Sequence, residues 1–250
     1  MSTTNVTITE SSIAAPELTL PPVPAARGAI SWTGEVRPRS WYEAIRPRLS
    51  EESYQFCKRQ LDIFICVLAM PFVLPVLGLL AVIVWLDSPG PIFFAQNRTG
   101  MGGRRFRMWK LRTMVKNAEE LKQKYMHLNE LEYPDFKISN DPRLTRAGKY
   151  LRKASLDELP QIFNVLKGEM TLVGPRPTSF SAQTYRLWHT ARLEVKPGLT
   201  GLWQVSGRSE LQFDDRLRLD IAYIRNRSLW LDLCILARTF GAVFSGRGAN

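Results

Sequence analysis

The stretch DIFICVLAMPFVLPVLGLLAVIVWLD, residues 62–87, decides the architecture: between its terminal aspartates lies an uncharged run, 63–86, with Pro71 and Pro75 near its middle. As an α-helix, about 24 residues rising roughly 1.5 Å each measure about 36 Å, against a hydrocarbon core of about 30 Å. Length therefore permits crossing a bilayer. The flanks point elsewhere. Arg48, Lys58 and Arg59 precede the run, and Arg98, Arg104, Arg105, Arg107 and Lys110 follow it. Positive charge on both sides favours keeping both ends on the cytoplasmic face. Each proline removes a backbone donor and crowds the preceding turn, so Pro71 and especially Pro75 supply a place to bend. A re-entrant hairpin and a proline-kinked spanning anchor both satisfy these residues.

Around this segment, a chain of 250 residues holds one domain of ordinary size plus a tail. Charged residues make up 23%, so a substantial part faces water, and the formal charge of +11 calls for an acidic partner class. Anionic lipid headgroups, nucleotide phosphates and nucleic acid all qualify; a basic surface beside an apolar segment favours the lipid, and nucleic acid ranks lower. Cys57, Cys66 and Cys234 are too few and too scattered for a disulfide framework or a zinc site, and Cys66 is expected in lipid. Reduced thiols fit a cytoplasmic domain. The apolar run begins too far from Met1, and is too long, for a cleaved secretory signal.

Residues 1–40, rich in Ser, Thr, Pro and Ala, lack periodicity and read as a disordered tail. Over 41–60, Trp41, Tyr42, Ile45, Tyr54 and Phe56 lie among basic residues, the pattern of an interfacial helix. After the breaker cluster 87–91, residues 92–96 and 105–114 read as two strands joined by a turn at 100–103. Residues 118–131 and 144–152 read as helices, and 229–244 as a core-packed or interfacial one. His127 and His189 are expected on the surface or on helix sides.

The stretch SLDELPQIFNVLKG, residues 155–168, carries the chemistry. Ser155 with Glu158 three residues on matches a capping box, Pro160 suits a first turn, and Gly168 suits a helix end. Leu159, Ile162, Phe163 and Leu166 make one apolar face, leaving the adjacent carboxylates of Asp157 and Glu158 at the N-terminal end. An isolated pair of this kind merely complements a helix dipole. Here Lys110, Arg112, Arg152, Lys153, Arg176 and Arg208 supply cations, and carboxylates with arginines and a divalent ion make a phosphate site in which a carboxylate can attack phosphorus. Gly174-Pro175-Arg176-Pro177 pins one arginine between two residues of fixed φ, and Gly207-Arg208 delivers another from a turn.

These residues, continuing into EMTLVGPRP (169–177), strongly resemble the bacterial sugar transferases, the monotopic polyprenyl-phosphate phosphoglycosyl transferases of the exopolysaccharide-initiating type. Lys58-Arg59 with Asp62, Gln96-Asn97-Arg98 with Gly100, KLRTM (110–114) and PGLTG (197–201) through Arg208 extend the resemblance over about residues 58–245. It implies an α+β fold: a mainly helical cytoplasmic catalytic domain (88–250) with a small β element, behind a re-entrant membrane helix (61–87) broken at Pro75. Relatives often place a serine before that proline, where this chain has Leu74. The resemblance further implies Asp157 as nucleophile, Glu158 as Mg²⁺ ligand, and Lys110, Arg112, Arg152, Arg176, Arg208 and Asp220 as substrate-binding or stabilising residues. Lys58, Arg59 and Asp62 belong with the membrane hairpin.

The activity implied is transfer of a sugar-1-phosphate from a UDP-sugar, UDP-glucose or UDP-galactose, to undecaprenyl phosphate with release of UMP. The chain would sit in the bacterial inner membrane among its lipids, with room for a second copy as partner. A non-catalytic basic membrane scaffold would release no UMP. A direct glycosyltransferase would release UDP, and the chain has neither the Asp-x-Asp metal motif of such enzymes nor a Gly-x-x-x-x-Gly-Lys loop for nucleotide hydrolysis.

Overall fold

A computed structural model of the chain describes residues 41–42, 49–130, 138, 140–179, 187–207 and 211–244. The predicted tail, residues 43–48 of the predicted interfacial helix, and Arg208 lie outside them. Helix α1 spans Glu51–Asp87, roughly 55 Å at 1.5 Å per residue. It starts where Ser50 accepts a hydrogen bond from the Ser53 amide, with Glu51 and Glu52 complementing the dipole in the first turn. Both prolines lie inside it, and the predicted boundary between residues 60 and 61 falls within one continuous helix.

One face of α1 is buried along its whole length, through Tyr54, Lys58, Asp62, Cys66, Leu77, Leu80 and Val84. The opposite face leaves Phe56, Phe64, Leu68, Phe72, Leu79 and Leu86 exposed. Its most apolar 18-residue window has mean hydropathy 2.7, yet only 17% of that window is buried. Apolar surface of this extent on one helix fits lipid rather than water, and marks a membrane-associated element. Cys66 departs from expectation. It is wholly buried against Ile162, Val165 and Met170, because its position on the inward face turns it into protein instead of lipid.

Strands β1 (Phe93–Thr99) and β2 (Arg105–Leu111) form the predicted hairpin, antiparallel from Phe93↔Leu111 to Thr99↔Arg105. Its turn needs Gly102 and Gly103, at φ 63° and 75°, a region closed to most side chains. Helix α2 (Ala118–Lys124) is shorter than expected, giving way to a 3₁₀ turn at Met126–Leu128. Helices α3 (Arg146–Lys153) and α4 (Gln161–Lys167) precede β3 (Thr171–Val173), which pairs in parallel with β4 (Gly198–Thr200). Helices α5 (Leu202–Ser206), α6 (Phe213–Asn226) and α7 (Leu229–Phe244) complete the described chain. Met108, Val165, Met170, Leu172, Leu202, Leu231 and Ile235 form the main core, so α7 is core-packed, with Trp230 and Phe240 exposed on its far side. His189, expected on the surface or on a helix side, lies on a 3₁₀ helix, Leu187–Glu194, and is buried edge-on against Phe213.

A second cluster joins Leu77, Leu80 and Val84 of α1 to Leu111 and Leu151. Polar contacts seat the other end of α1. Lys58 Nζ and the Tyr54 hydroxyl donate to Asp232 Oδ2 at 2.8 and 3.0 Å, and the Tyr223 hydroxyl donates to Asp232 Oδ1 at 2.6 Å. Burial, then the Asp232 charge, raise the Tyr223 hydroxyl well above its ordinary pKa, which keeps it a donor. Arg59 donates to the carbonyls of Val165 and Leu166 at 2.6 and 2.8 Å, closing the C-terminal end of α4. Asp62 accepts from the Thr171 hydroxyl and the Leu172 amide. Asp232→Asn should lower stability by about 3–5 kcal/mol by removing the hydrogen-bonded counter-charge of buried Lys58, while Lys58→Met with Asp232→Leu should recover most of it. Thermal unfolding in detergent measures both; an unchanged single variant would show that the pair does not hold α1.

Candidate active site

Three short elements carry the acids into one place. Helix α3 ends at Lys153, and Ser155 turns the chain at φ 56° into a 3₁₀ turn, Leu156–Glu158. Leu156 and Leu159 pack on the second core cluster, which fixes the turn between them. Pro160 then stands at the N-cap of α4, and Gly168 ends that helix at φ 81°. The expected capping box is absent. Ser155 is left-handed rather than extended, so its hydroxyl makes no cap bond. The Glu158 carboxylate binds two cations instead, and such charge-assisted bonds are stronger than one to a neutral amide.

Glu158 Oε1 accepts from Lys110 Nζ at 2.8 Å and from Arg176 Nη2, and Oε2 accepts from Arg176 Nη1 at 3.1 Å. Burial alone would raise this carboxyl, but Arg176 and Lys110 hold it well below the usual carboxylate range. Asp157, also buried, lies 3.7 Å from Lys110 Nζ and accepts no hydrogen bond among the described residues. Burial pushes its carboxyl upward, with Lys110 opposing and Glu158 reinforcing. Adjacent carboxylates are thus driven in opposite directions, the pattern that separates roles in a catalytic pair. One is committed to its cations. The other keeps its oxygens free.

The remaining candidates divide. Arg152 donates to the Thr113 hydroxyl at 2.9 Å and lends its charge to Asp157. Arg112 does not join this cluster; its Nη2 donates to the Ser88 carbonyl. Asp220, expected as a substrate-binding or stabilising residue, is almost wholly buried, and its Oδ2 accepts from Arg192 Nη2 at 2.6 Å. The same nitrogen donates to the Arg176 carbonyl at 2.5 Å. Asp220 therefore steadies Arg192, and Arg192 steadies the loop that aims Arg176 at Glu158. Lys58, Arg59 and Asp62 seat α1 rather than lining the acids.

That loop rests on a close backbone crossing. A Cβ on Gly198 would stand 2.1 Å from the Gly174 amide nitrogen, so only glycine lets β4 approach the turn before Pro175 and Arg176. The sequence reading gave Arg192 no place and quoted Thr113 only within KLRTM, without a role. Only the fold brings Arg192 beside Arg176 and Thr113 beside Arg152.

Among the described residues no group of three or more His, Cys, Asp or Glu side chains gathers for a metal. Mg²⁺ makes a smaller demand, one or two carboxylates with phosphate oxygens and water completing its shell. Glu158 fits that demand, because Oε2 accepts only one hydrogen bond and keeps a lone pair.

The profile of the family described as Bacterial sugar transferase matches residues 53–246. The chain is 41% identical over 207 residues to the galactosyl transferase CpsE of Streptococcus agalactiae, covering 79% of this chain and 44% of that protein. It is 40% identical over 210 residues to the undecaprenyl-phosphate galactose phosphotransferase of Salmonella typhimurium, covering 82% and 44%. To the exopolysaccharide production protein ExoY of Sinorhizobium fredii it is 39% identical over 197 residues, covering 77% and 87%. The chain thus spans under half the length of the first two and most of the third.

Burial pushes the Asp220 carboxyl up to about 7, against the pull of Arg192 and Arg216. A folded-state pKa above the unfolded value means that the folded chain holds the proton more tightly, so this group's stabilising contribution is greatest below about pH 4 and declines as pH rises to about 7. Asp220→Asn cannot ionise. The difference in melting temperature, wild type minus variant, should fall between pH 4 and 7 and then level; a difference independent of pH would show that Asp220 is charged throughout.

Proposed function

Because the chain belongs to the bacterial sugar transferase family, we propose that it moves a sugar-1-phosphate from a UDP-sugar to undecaprenyl phosphate through a covalent adduct on Asp157. The observation that carries this reading is the contrast within the acid pair: Glu158 is neutralised by Lys110 and Arg176, while Asp157 lies beside the Lys110 ammonium with its oxygens unbonded. A relative's name supplies the undecaprenyl phosphate acceptor, and two names point to galactose. UDP-galactose and UDP-glucose are the first donors to test.

In the first step an Asp157 carboxylate oxygen attacks the β-phosphorus. The new bond is an acyl phosphate, and the bond from that phosphorus to the bridging oxygen breaks, so UMP leaves with the bridging oxygen. In the second step an oxygen of the lipid phosphate attacks the same phosphorus, forming the lipid diphosphate sugar and returning the carboxylate. Lys110 and Arg176 offset charge on the phosphoryl oxygens, the main contribution to such transfers. Mg²⁺, held by Glu158 together with donor phosphates, supplies further neutralisation when bound. Arg192 and Asp220 keep Arg176 in place, and Arg152 adds positive potential at Asp157.

The apolar segment enters the bilayer from the cytoplasmic side and returns, bending near Pro75. Support comes from its two tethers: Lys58 and Asp62 bind Asp232 and Thr171 at one end, and Asp87 accepts from the Ala147 amide at 2.9 Å at the other. A spanning helix would need those contacts on opposite faces of the membrane. Leu74, in place of a hydroxyl residue, leaves the freed carbonyls at the bend without a side-chain donor from that position.

Intact-mass measurement after mixing purified protein with UDP-galactose or UDP-glucose should find a hexose-phosphate adduct and an equivalent of UMP. Asp157→Asn should form neither, and adduct formation should fade on acidification at a pH above that of an ordinary aspartate, since Asp157 must be ionised to attack and burial raises its pKa. Wild-type turnover by the Asn variant would falsify the nucleophile assignment, and release of UDP instead of UMP would replace it with direct glycosyl transfer. For topology, cysteines introduced at Ser50 and Ser88 should react from the cytoplasmic side alike; labelling from opposite sides would establish a spanning helix.

A further inference from the structure

Arg112 and Lys116 stand apart from the acid pair and converge on each other. Arg112 follows β2 and is only 8% exposed. Its Nη2 is taken by the Ser88 carbonyl, but Nε and Nη1 are buried with no hydrogen-bond partner. Nη1 lies 2.6 Å from the point where a Cβ on Gly90 would stand, and Lys116 Nζ lies 3.2 Å from that same point. Lys116 Cε, at 2.4 Å, is nearest to that point, so Gly90, at φ 141° in a conformation side chains rarely adopt, lets both cationic side chains lie close against its backbone. Among the described residues no carboxylate pairs with either cation. A buried guanidinium with unmet donors is costly, and a second positive charge beside it raises the cost. An anion between them removes both penalties.

The place selects the anion. Ser88 and Gly90 directly follow the last residue of α1. Trp85 and Leu86 before them, and Phe93 and Phe94 after them, expose apolar surface, and a tryptophan at such a junction favours headgroup depth. We infer that Arg112, Lys116 and the Gly90 turn form a second anion site that binds the phosphate headgroup of a membrane lipid, separate from the Lys110, Glu158 and Arg176 cluster. The chemistry is shared by a prenyl monophosphate and by an anionic phospholipid. Only the first of these identities rests on the proposed transfer reaction.

Equilibrium binding of farnesyl phosphate and of farnesol to the full chain in neutral detergent isolates the phosphate's share. Wild type should prefer farnesyl phosphate, and Lys116→Gln, on an exposed side chain, should reduce that preference about fivefold. Arg112→Gln should remove more, and if it fails to fold the Lys116 variant decides alone. UDP affinity should stay at the wild-type value. A parallel flotation with phosphatidylcholine vesicles, with and without phosphatidylglycerol, separates the sources. Loss confined to the phosphatidylglycerol vesicles assigns the site to bulk phospholipid, and loss confined to farnesyl phosphate assigns it to the acceptor. No change in either, or an equal loss of UDP affinity, overturns the site. Binding needs no turnover, so wild type that holds farnesyl phosphate yet releases no UMP would refute the transfer reaction and leave the site standing.

Discussion

The structure depends on how the polar shoulder of α1 is docked. Four residues on one side of the helix, Tyr54, Lys58, Arg59 and Asp62, reach α7, the end of α4 and β3. Each buries a polar or charged group, which is costly unless its partner is well placed, so misdocking by one turn would strand several of them at once. Hydrophobic contact is tolerant of sliding; this set is not. It gives the lipid-facing helix a defined attitude to the domain behind it.

That attitude is transmitted to the chemistry through α4. Arg59 closes the C-terminal carbonyls of the helix whose other end follows the Asp157 and Glu158 turn. Leu77, Leu80 and Val84 meanwhile pack on Leu111 and Leu151, and Leu156 and Leu159 of the acid-bearing turn join the same cluster. The acid pair is thus referenced to the apolar helix α1 at both ends of a short helix. For the proposed transfer between a water-soluble nucleotide and a lipid, that is a useful constraint, since the carboxylate assigned to attack must stand at a fixed depth.

Much of this was legible beforehand. The hairpin, the glycine turn, the helix end at Gly168 and the convergence of Lys110, Asp157, Glu158 and Arg176 were all expected, because turn formers, alternation and an unusual density of charge are local signals. What local signals misjudged were partnerships. Ser155 and Glu158 looked like a capping box, but Glu158 found two cations from distant strands and loops, and a charge-assisted pair outweighs a cap. Asp220 was singled out only by resemblance, as a substrate-binding or stabilising residue, and its partner Arg192 carried no mark in the sequence.

The order of residues alone determined that there is an apolar helix flanked by positive charge, an acid pair, and arginines held by prolines and glycines, because these follow from composition and spacing over a few turns of chain. Tertiary structure alone decided which cation meets which acid, that Cys66 faces protein rather than lipid, and that Gly198 must be a glycine. The physical reason is range: propensity and periodicity act between neighbours, whereas the energy of a buried charge is set by groups that only folding brings within a few ångströms.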